Sequence, residues 1–205
     1  MYPGERFNSI SHLVGTALAI TGAVALIVSA ALDGDPWRIV SFSIFGAMLI
    51  ALYGTSTLYH AIRHPRAKSV LRRLDHATIF LLIAGTYTPF TLVTLRGALG
   101  WTLFAVIWLM AAWGMWRVLR APEGHEPPPW PHLVMGWLGI TAIVPLVERI
   151  GAHGTFWLVL GGALYSAGVL FYVNDKRWRH AHGVWHLFVM GGSAAHVVTV
   201  LFFVR

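Results

Sequence analysis

Long apolar runs alternate with short polar breaks along the whole chain. The runs cover about Ser9 to Ala31, Trp37 to Ile62, Leu74 to Leu95, Leu99 to Val118, Pro131 to Leu146, Thr155 to Val173 and Gly183 to Val204. Most approach the roughly 20 residues that carry a helix through the hydrocarbon core of a bilayer. The breaks are compact: Asp33-Gly34-Asp35-Pro36, then Arg63-His64-Pro65-Arg66, and the linker Arg120-Ala121-Pro122-Glu123-Gly124-His125-Glu126-Pro127-Pro128-Pro129. The fifth run is the weakest, being short and carrying Pro145 near its end. Strands do not fit, because membrane barrels alternate apolar and polar residues with a period of two, whereas these runs are continuously apolar. Only helices and closed barrels satisfy the backbone inside lipid. The pattern predicts an all-α integral membrane protein with seven transmembrane helices in a single domain, residues 1–205.

Composition agrees with this. Hydrophobic residues make up 57% of the 205 and charged residues 11%, against roughly 25% charged in soluble domains. Seven spans with short loops leave no room for a further domain. The net charge of +7 lies in the short loops, so it speaks to orientation. One set of alternate loops holds Arg6, then Arg63, Arg66, Lys68, Arg72 and Arg73, then Arg117 and Arg120, then Lys176, Arg177 and Arg179. The other holds Arg38, Arg96, Arg149 and Arg205, a bias of eleven to four. The excess of basic residues on cytoplasmic loops then predicts a cytoplasmic N-terminus and a C-terminus outside. No basic helix or aromatic-basic module argues for nucleic acid as a partner. Cysteine is absent, which excludes disulfides, thiolate metal ligands and a cysteine nucleophile together. The first run lacks a small-residue cleavage site, so it is expected to be a retained helix.

Small residues at Gly161-Gly162, Gly191-Gly192 and Ser193-Ala194-Ala195 predict close helix packing. Pro89, in Gly85-Thr86-Tyr87-Thr88-Pro89, is expected to kink the third helix, with the threonine hydroxyls reaching freed backbone groups.

Ionisable groups inside membrane helices are costly, so they face a cavity, a partner or a function. The informative ones here, with one serine, are His12, Ser56, His60, Asp75, His76, His182, His186 and His196. His182 and His186 form H-x-x-x-H, which puts two imidazoles on one helical face and makes a two-ligand metal clamp. Ser56 and His60 share a face by the same spacing. In the predicted topology His60, Asp75, His182 and His186 all fall within one or two turns of the same membrane face. Three neutral imidazoles with one open position would make a catalytic zinc site, where zinc lowers the pKa of a water and polarises an acyl carbonyl. Asp75 could hold that water or take its proton, and Ser56 could hydrogen-bond the site. Blander roles stay open: His60 as a helix cap beside the Arg63-His64 break, His182 as a loop-edge residue, Asp75 as a partner of Arg72 or Arg73. His12 and His196 read as interior polar groups, and His64, His125, His132, His153 and His180 as loop or interface residues.

Several motifs resemble the hemolysin III branch of the progestin and adipoQ receptor family, relatives of the adiponectin receptors and alkaline ceramidases. They are Glu5-Arg6-Phe7-Asn8-Ser9-Ile10-Ser11-His12, Ser56-Thr57-Leu58-Tyr59-His60, Leu74-Asp75-His76-Ala77-Thr78-Ile79-Phe80, Gly85 to Pro89, and His182-Gly183-Val184-Trp185-His186. The resemblance implies a seven-helix fold with zinc held near the cytoplasmic side by His60, His182 and His186. It implies that Asp75 holds a zinc-bound water and that Ser56 lies beside the site. It further implies a metal-dependent hydrolase of acyl or amide lipids, linked to lipid homeostasis in a bacterial plasma membrane, with membrane lipids and a lipid substrate or signal as partners. A non-catalytic lipid-state sensor with structural zinc, or a hemolysin-type pore, are the alternatives; no continuous polar stripe favours the pore. Imidazole ligands also accept iron, manganese or cobalt. No residue pattern specifies an oligomeric state.

Overall fold

The computed structural model describes Tyr2, residues 4–122 and residues 127–205. Glu123, Gly124, His125 and Glu126 of the linker, and with them the loop role expected of His125, lie outside the described residues. Every regular element among the described residues is helical. They are α1 (Glu5–Asp33), α2 (Pro36–Ala61), α3 (Pro65–Pro89), α4 (Ala98–Arg120), α5 (Trp130–Trp137), α6 (Ile143–Val173) and α7 (Ala181–Phe203). A π turn over Phe90–Thr94 extends α3, and a 3-10 turn over Leu138–Ala142 joins α5 to α6.

Among the described residues six helical stretches are long and apolar enough to cross a membrane: Glu5–Asp33, Pro36–Ala61, Pro65–Thr94, Ala98–Arg120, Trp130–Val173 and Ala181–Phe203. The chain is an all-α, membrane-spanning bundle of six such stretches, which corrects the expectation of seven. The predicted fifth and sixth helices are parts of one 44-residue stretch. Two local features account for the difference. Pro145 sits in the first turn of α6, where a missing N–H costs little, so it opens a helix instead of ending one. Glu148 and Arg149, expected in a loop, are helical, and Arg149 donates to the Thr94 carbonyl at 2.6 Å. The interruption shrinks to one residue, Gly151, at φ 69° and ψ 179°. That backbone region is essentially open to glycine alone, so the chain bends there without a loop. The placement of the termini on opposite sides of the membrane rested on an odd number of spans and goes with it.

Other boundaries shift for simple reasons. The third helix begins at Pro65, not near Leu74, because Pro65 suits a first helical turn and the basic residues behind it extend the helix beyond its apolar run. Asp35 accepts from the Trp37 amide at 2.9 Å and caps α2, with Pro36 in its first turn. At Pro89 the helix loosens into the π turn. The hydroxyls of Thr86, Thr88 and Thr91 donate to carbonyls three or four residues back, the compensation expected for a proline within a membrane helix.

The bundle turns large apolar side chains outward and buries polar ones beside its apolar core. Leu32, Leu109, Val144 and Phe156 point outward, while Ser41, Ser56, His60, Thr88, His186 and Thr199 are buried. Small residues spaced by four on α1, Gly15, Ala19 and Ala23, lie in the buried face against α2. One apolar cluster, including Leu26, Phe42, Phe45, Leu49 and Val200, ties α1, α2 and α7 together. Another, including Phe80, Ile107, Ala111 and Met135, ties α3, α4 and α5. Gly192 packs against Tyr165 across the α6–α7 contact, as its small size predicts.

The Gly151 bend is testable. Gly151→Ala forces a side chain into a disfavoured conformation and is expected to cost about 1–3 kcal/mol, read as a lower melting temperature in detergent. Gly54→Ala, at a helical position with nothing within 4 Å of the added carbon, should leave the melting temperature unchanged or raise it.

Candidate metal centre

His60 ends α2, and His182 and His186 lie in the first turns of α7. The packing of α1 on both α2 and α7 draws these ends together. One ring nitrogen from each of His60, His182 and His186 lies within 4.8 Å of the others. The ring centroids are 4.9–5.2 Å apart. His186 is fully buried and His60 nearly so.

What the two nitrogens of each ring do is more telling than the proximity. The Nδ1 of His60 donates to the Glu5 carboxylate. The Nδ1 of His186 lies 3.2 Å from the Asn8 carbonyl and 3.1 Å from Ser11 Oγ. The Nδ1 of His182 lies 3.4 Å from the Asp175 carboxylate. Carboxylates and carbonyls only accept, so each Nδ1 carries a proton, and in the neutral ring each Nε2 keeps its lone pair. All three Nε2 atoms are buried without a hydrogen-bond partner among the described residues. Buried nitrogens are rarely left unpaired. Three of them converging with lone pairs exposed are the donor set that a zinc-like ion takes, and rings pinned at the far nitrogen are the usual outer support of metal-bound histidine.

The first turns of α1 supply much of that support. Glu5 is held in turn by Lys68, whose Nζ lies 3.3 Å from Oε1 and donates to the Tyr59 carbonyl at 2.9 Å. Asn8 Nδ2 donates to Glu5 at 3.4 Å. His12 stacks on His186 with centroids 3.5 Å apart and planes 10° from parallel. The spacing of Glu5, Asn8, Ser11 and His12 places them along one helical face. That periodicity was visible in the sequence, but their orienting contacts were not; neither were those of Lys68 and Asp175.

The remaining expected residues take the following places. Ser56 is buried one turn before His60, and its Oγ has no partner among the described residues. Asp75 is buried, lies close enough to His182 to act on it electrostatically, and faces a cavity. His76 turns back on its own helix, its Nδ1 donating to the Arg72 carbonyl at 2.8 Å, and it lines the cavity that Asp75 faces without belonging to the histidine trio. His132, expected at the interface, sits in α5 and lines the same cavity as Asp75. His64 and His180 are exposed N-caps, and His153 is exposed on α6.

That cavity, of about 150 Å³, begins beside the histidines at His12 and Asp75. It runs along α3 past Ile79, Leu82 and Ile83 to Trp137, Gly162 and His196. Its wall is mainly apolar.

These features define an integral membrane protein with a buried histidine cluster able to hold a metal, flanked by His12 and Asp75, which line a mainly apolar cavity. A family model described as Haemolysin-III related matches residues 2–197, and the chain belongs to that family, within the wider progestin and adipoQ receptor group. It is 43% identical over 201 residues to Hemolysin-3 of Bacillus cereus, covering 98% of this chain and 91% of that protein. It is 45% identical over 200 residues to the Hemolysin-3 homolog of Bacillus subtilis (strain 168), covering 97% and 93%. It is also similar to the Monocyte to macrophage differentiation factor of Homo sapiens, 29% identical over 201 residues, covering 94% and 81%.

Glu5→Gln removes the charge that pins His60 while keeping the side chain's size. Zinc affinity, measured by competition with a chromophoric chelator, should fall about 10- to 100-fold with helical content unchanged. An affinity equal to wild type would show that Glu5 does not orient the ring.

Proposed function

We propose that this protein is a zinc-dependent hydrolase of acyl or amide lipids in a bacterial plasma membrane, acting in membrane lipid homeostasis. The observation that carries the proposal is the trio of His60, His182 and His186, each with an unpaired buried Nε2, together with Asp75, which acts electrostatically on His182 and lines a mainly apolar cavity. His60, His182 and His186 would hold the ion, which when bound supplies a Lewis acid that polarises an acyl carbonyl and acidifies water. The Asp75 carboxylate takes the proton of the attacking water and returns it to the leaving amine or alcohol as the acyl bond breaks. Ser56 Oγ, buried and uncommitted, donates to the oxygen on which negative charge develops. The cavity takes the part of the hydrocarbon chain nearest the acyl group and keeps bulk water away from it. The two Bacillus relatives support the bacterial membrane. One observation favours a second role: the histidines join α2 to α7, so an ion there would also cross-link the bundle, as a non-catalytic lipid-state sensor requires.

Elemental analysis of detergent-purified protein should find about one zinc per chain, lost in His182→Ala/His186→Ala. Asp75→Asn should keep the zinc and lower release of fatty acid from a fluorescent lipid amide or ester by about 100-fold or more. Metal-free wild type would sink the hydrolase. Zinc without turnover, together with a melting temperature that falls on chelation, would point to the sensor.

A further inference from the structure

A second cavity, of about 300 Å³, lies between the start of α3 and the last turns of α4. Tyr59 and Lys68 on its wall put it at the same end of the bundle as the histidine cluster. Its chemistry is one-sided. Arg72, Arg73 and Arg117 line it, and among the described residues no carboxylate does. Lys68 is answered by Glu5. Arg73 uses one N–H on the Leu119 carbonyl, at 3.2 Å, and Arg117 lies 4.9 Å over the Trp113 ring. Neither of these two guanidinium groups pairs with a carboxylate. Both are reachable from outside, Arg73 being half-buried and Arg117 exposed. Cations at a membrane helix are costly without a partner, and the planar guanidinium fork matches the oxygens of a phosphate.

The neighbouring surface shows what carries that phosphate. Leu109, Trp113 and Arg117 follow one another at intervals of four on α4, and all three are exposed. They therefore share one outward face that passes from an aliphatic side chain through an indole to a guanidinium. Because α4 is long and apolar enough to cross a membrane, Leu109 and Trp113 on this face meet lipid. A phospholipid lying against it presents its parts in the same order, acyl chain, glycerol and phosphate. We propose that this cavity binds the head group of an anionic phospholipid, with the phosphate held by Arg73 and Arg117 and the acyl chains outside, along α4. Basic pockets between membrane helices take such head groups, and the volume has only the head group to hold. A zwitterionic head group brings a cation into a wall of like charge. The site does not depend on whether the histidines hold a metal.

Native mass spectrometry of the detergent-purified full chain, which carries Glu123 and Glu126 of the linker, tests this. The probes are dioctanoyl phosphatidylglycerol, dioctanoyl phosphatidylcholine and glycerophosphoglycerol, the anionic head group without chains. The first phosphatidylglycerol should bind about tenfold or more tightly than phosphatidylcholine, the worth of one hydrogen bond to a charged group, and glycerophosphoglycerol should bind far more weakly. Arg117→Gln breaks no hydrogen bond within the protein and should lose most of the preference, as should Arg73→Gln/Arg117→Gln. Arg177→Gln/Arg179→Gln removes two charges from the exposed turn before α7 and should keep it. Equal binding of the two lipids by wild type would overturn the proposal however the variants fold. So would a preference that survives in Arg117→Gln, or one lost equally in Arg177→Gln/Arg179→Gln, the mark of a general surface field. Glycerophosphoglycerol bound as tightly as the lipid would overturn it too, because the site would then serve a soluble phosphate ester.

Discussion

An imidazole offers a metal a lone pair in a fixed direction when its other nitrogen carries the proton and an acceptor holds it, and in this bundle that arrangement is built three times with four partner residues. Glu5 pins His60, Asn8 and Ser11 pin His186, and Asp175 pins His182. The partners come from the start of α1 and from the turn before α7, while the rings come from the end of α2 and the start of α7. No single helix could supply the arrangement. The ends of α1, α2 and α7 must meet, and the small residues on α1 let it lie close enough to α2 for that.

The lipid environment sharpens the demand. Polar groups facing hydrocarbon have no water to fall back on, and several interior hydroxyls pair with one another. Tyr53 donates to Ser193, and Ser193 is shared with Tyr165. Tyr53 also packs edge-on against His12, which stacks on His186. A polar seam thus runs from the histidine cluster toward His196, alongside a cavity whose other walls are mainly apolar.

Much of this was legible in the residue order. Continuous apolar runs implied membrane helices, because a polar backbone in lipid has few alternatives. Most span boundaries came out within a few residues, and the motifs with His60, Asp75, His182 and His186 pointed to one end of the bundle. The count failed where a proline and two charges look like a loop on paper. Pro145 in a first turn and Arg149 bonded to the Thr94 carbonyl are both compatible with helix, so a single glycine takes up the bend.

The sequence by itself determined the class of protein, the family and which histidines are candidates to meet, because hydropathy and i, i+4 spacing are local properties written in the residue order. Which nitrogen of each ring is free, which carboxylates hold the rings, and that His132 and His196 face the same cavity were decided only by tertiary structure. Those facts depend on contacts between residues as far apart as Asn8 and His186, and no local pattern encodes the angle at which two helices bring such residues together.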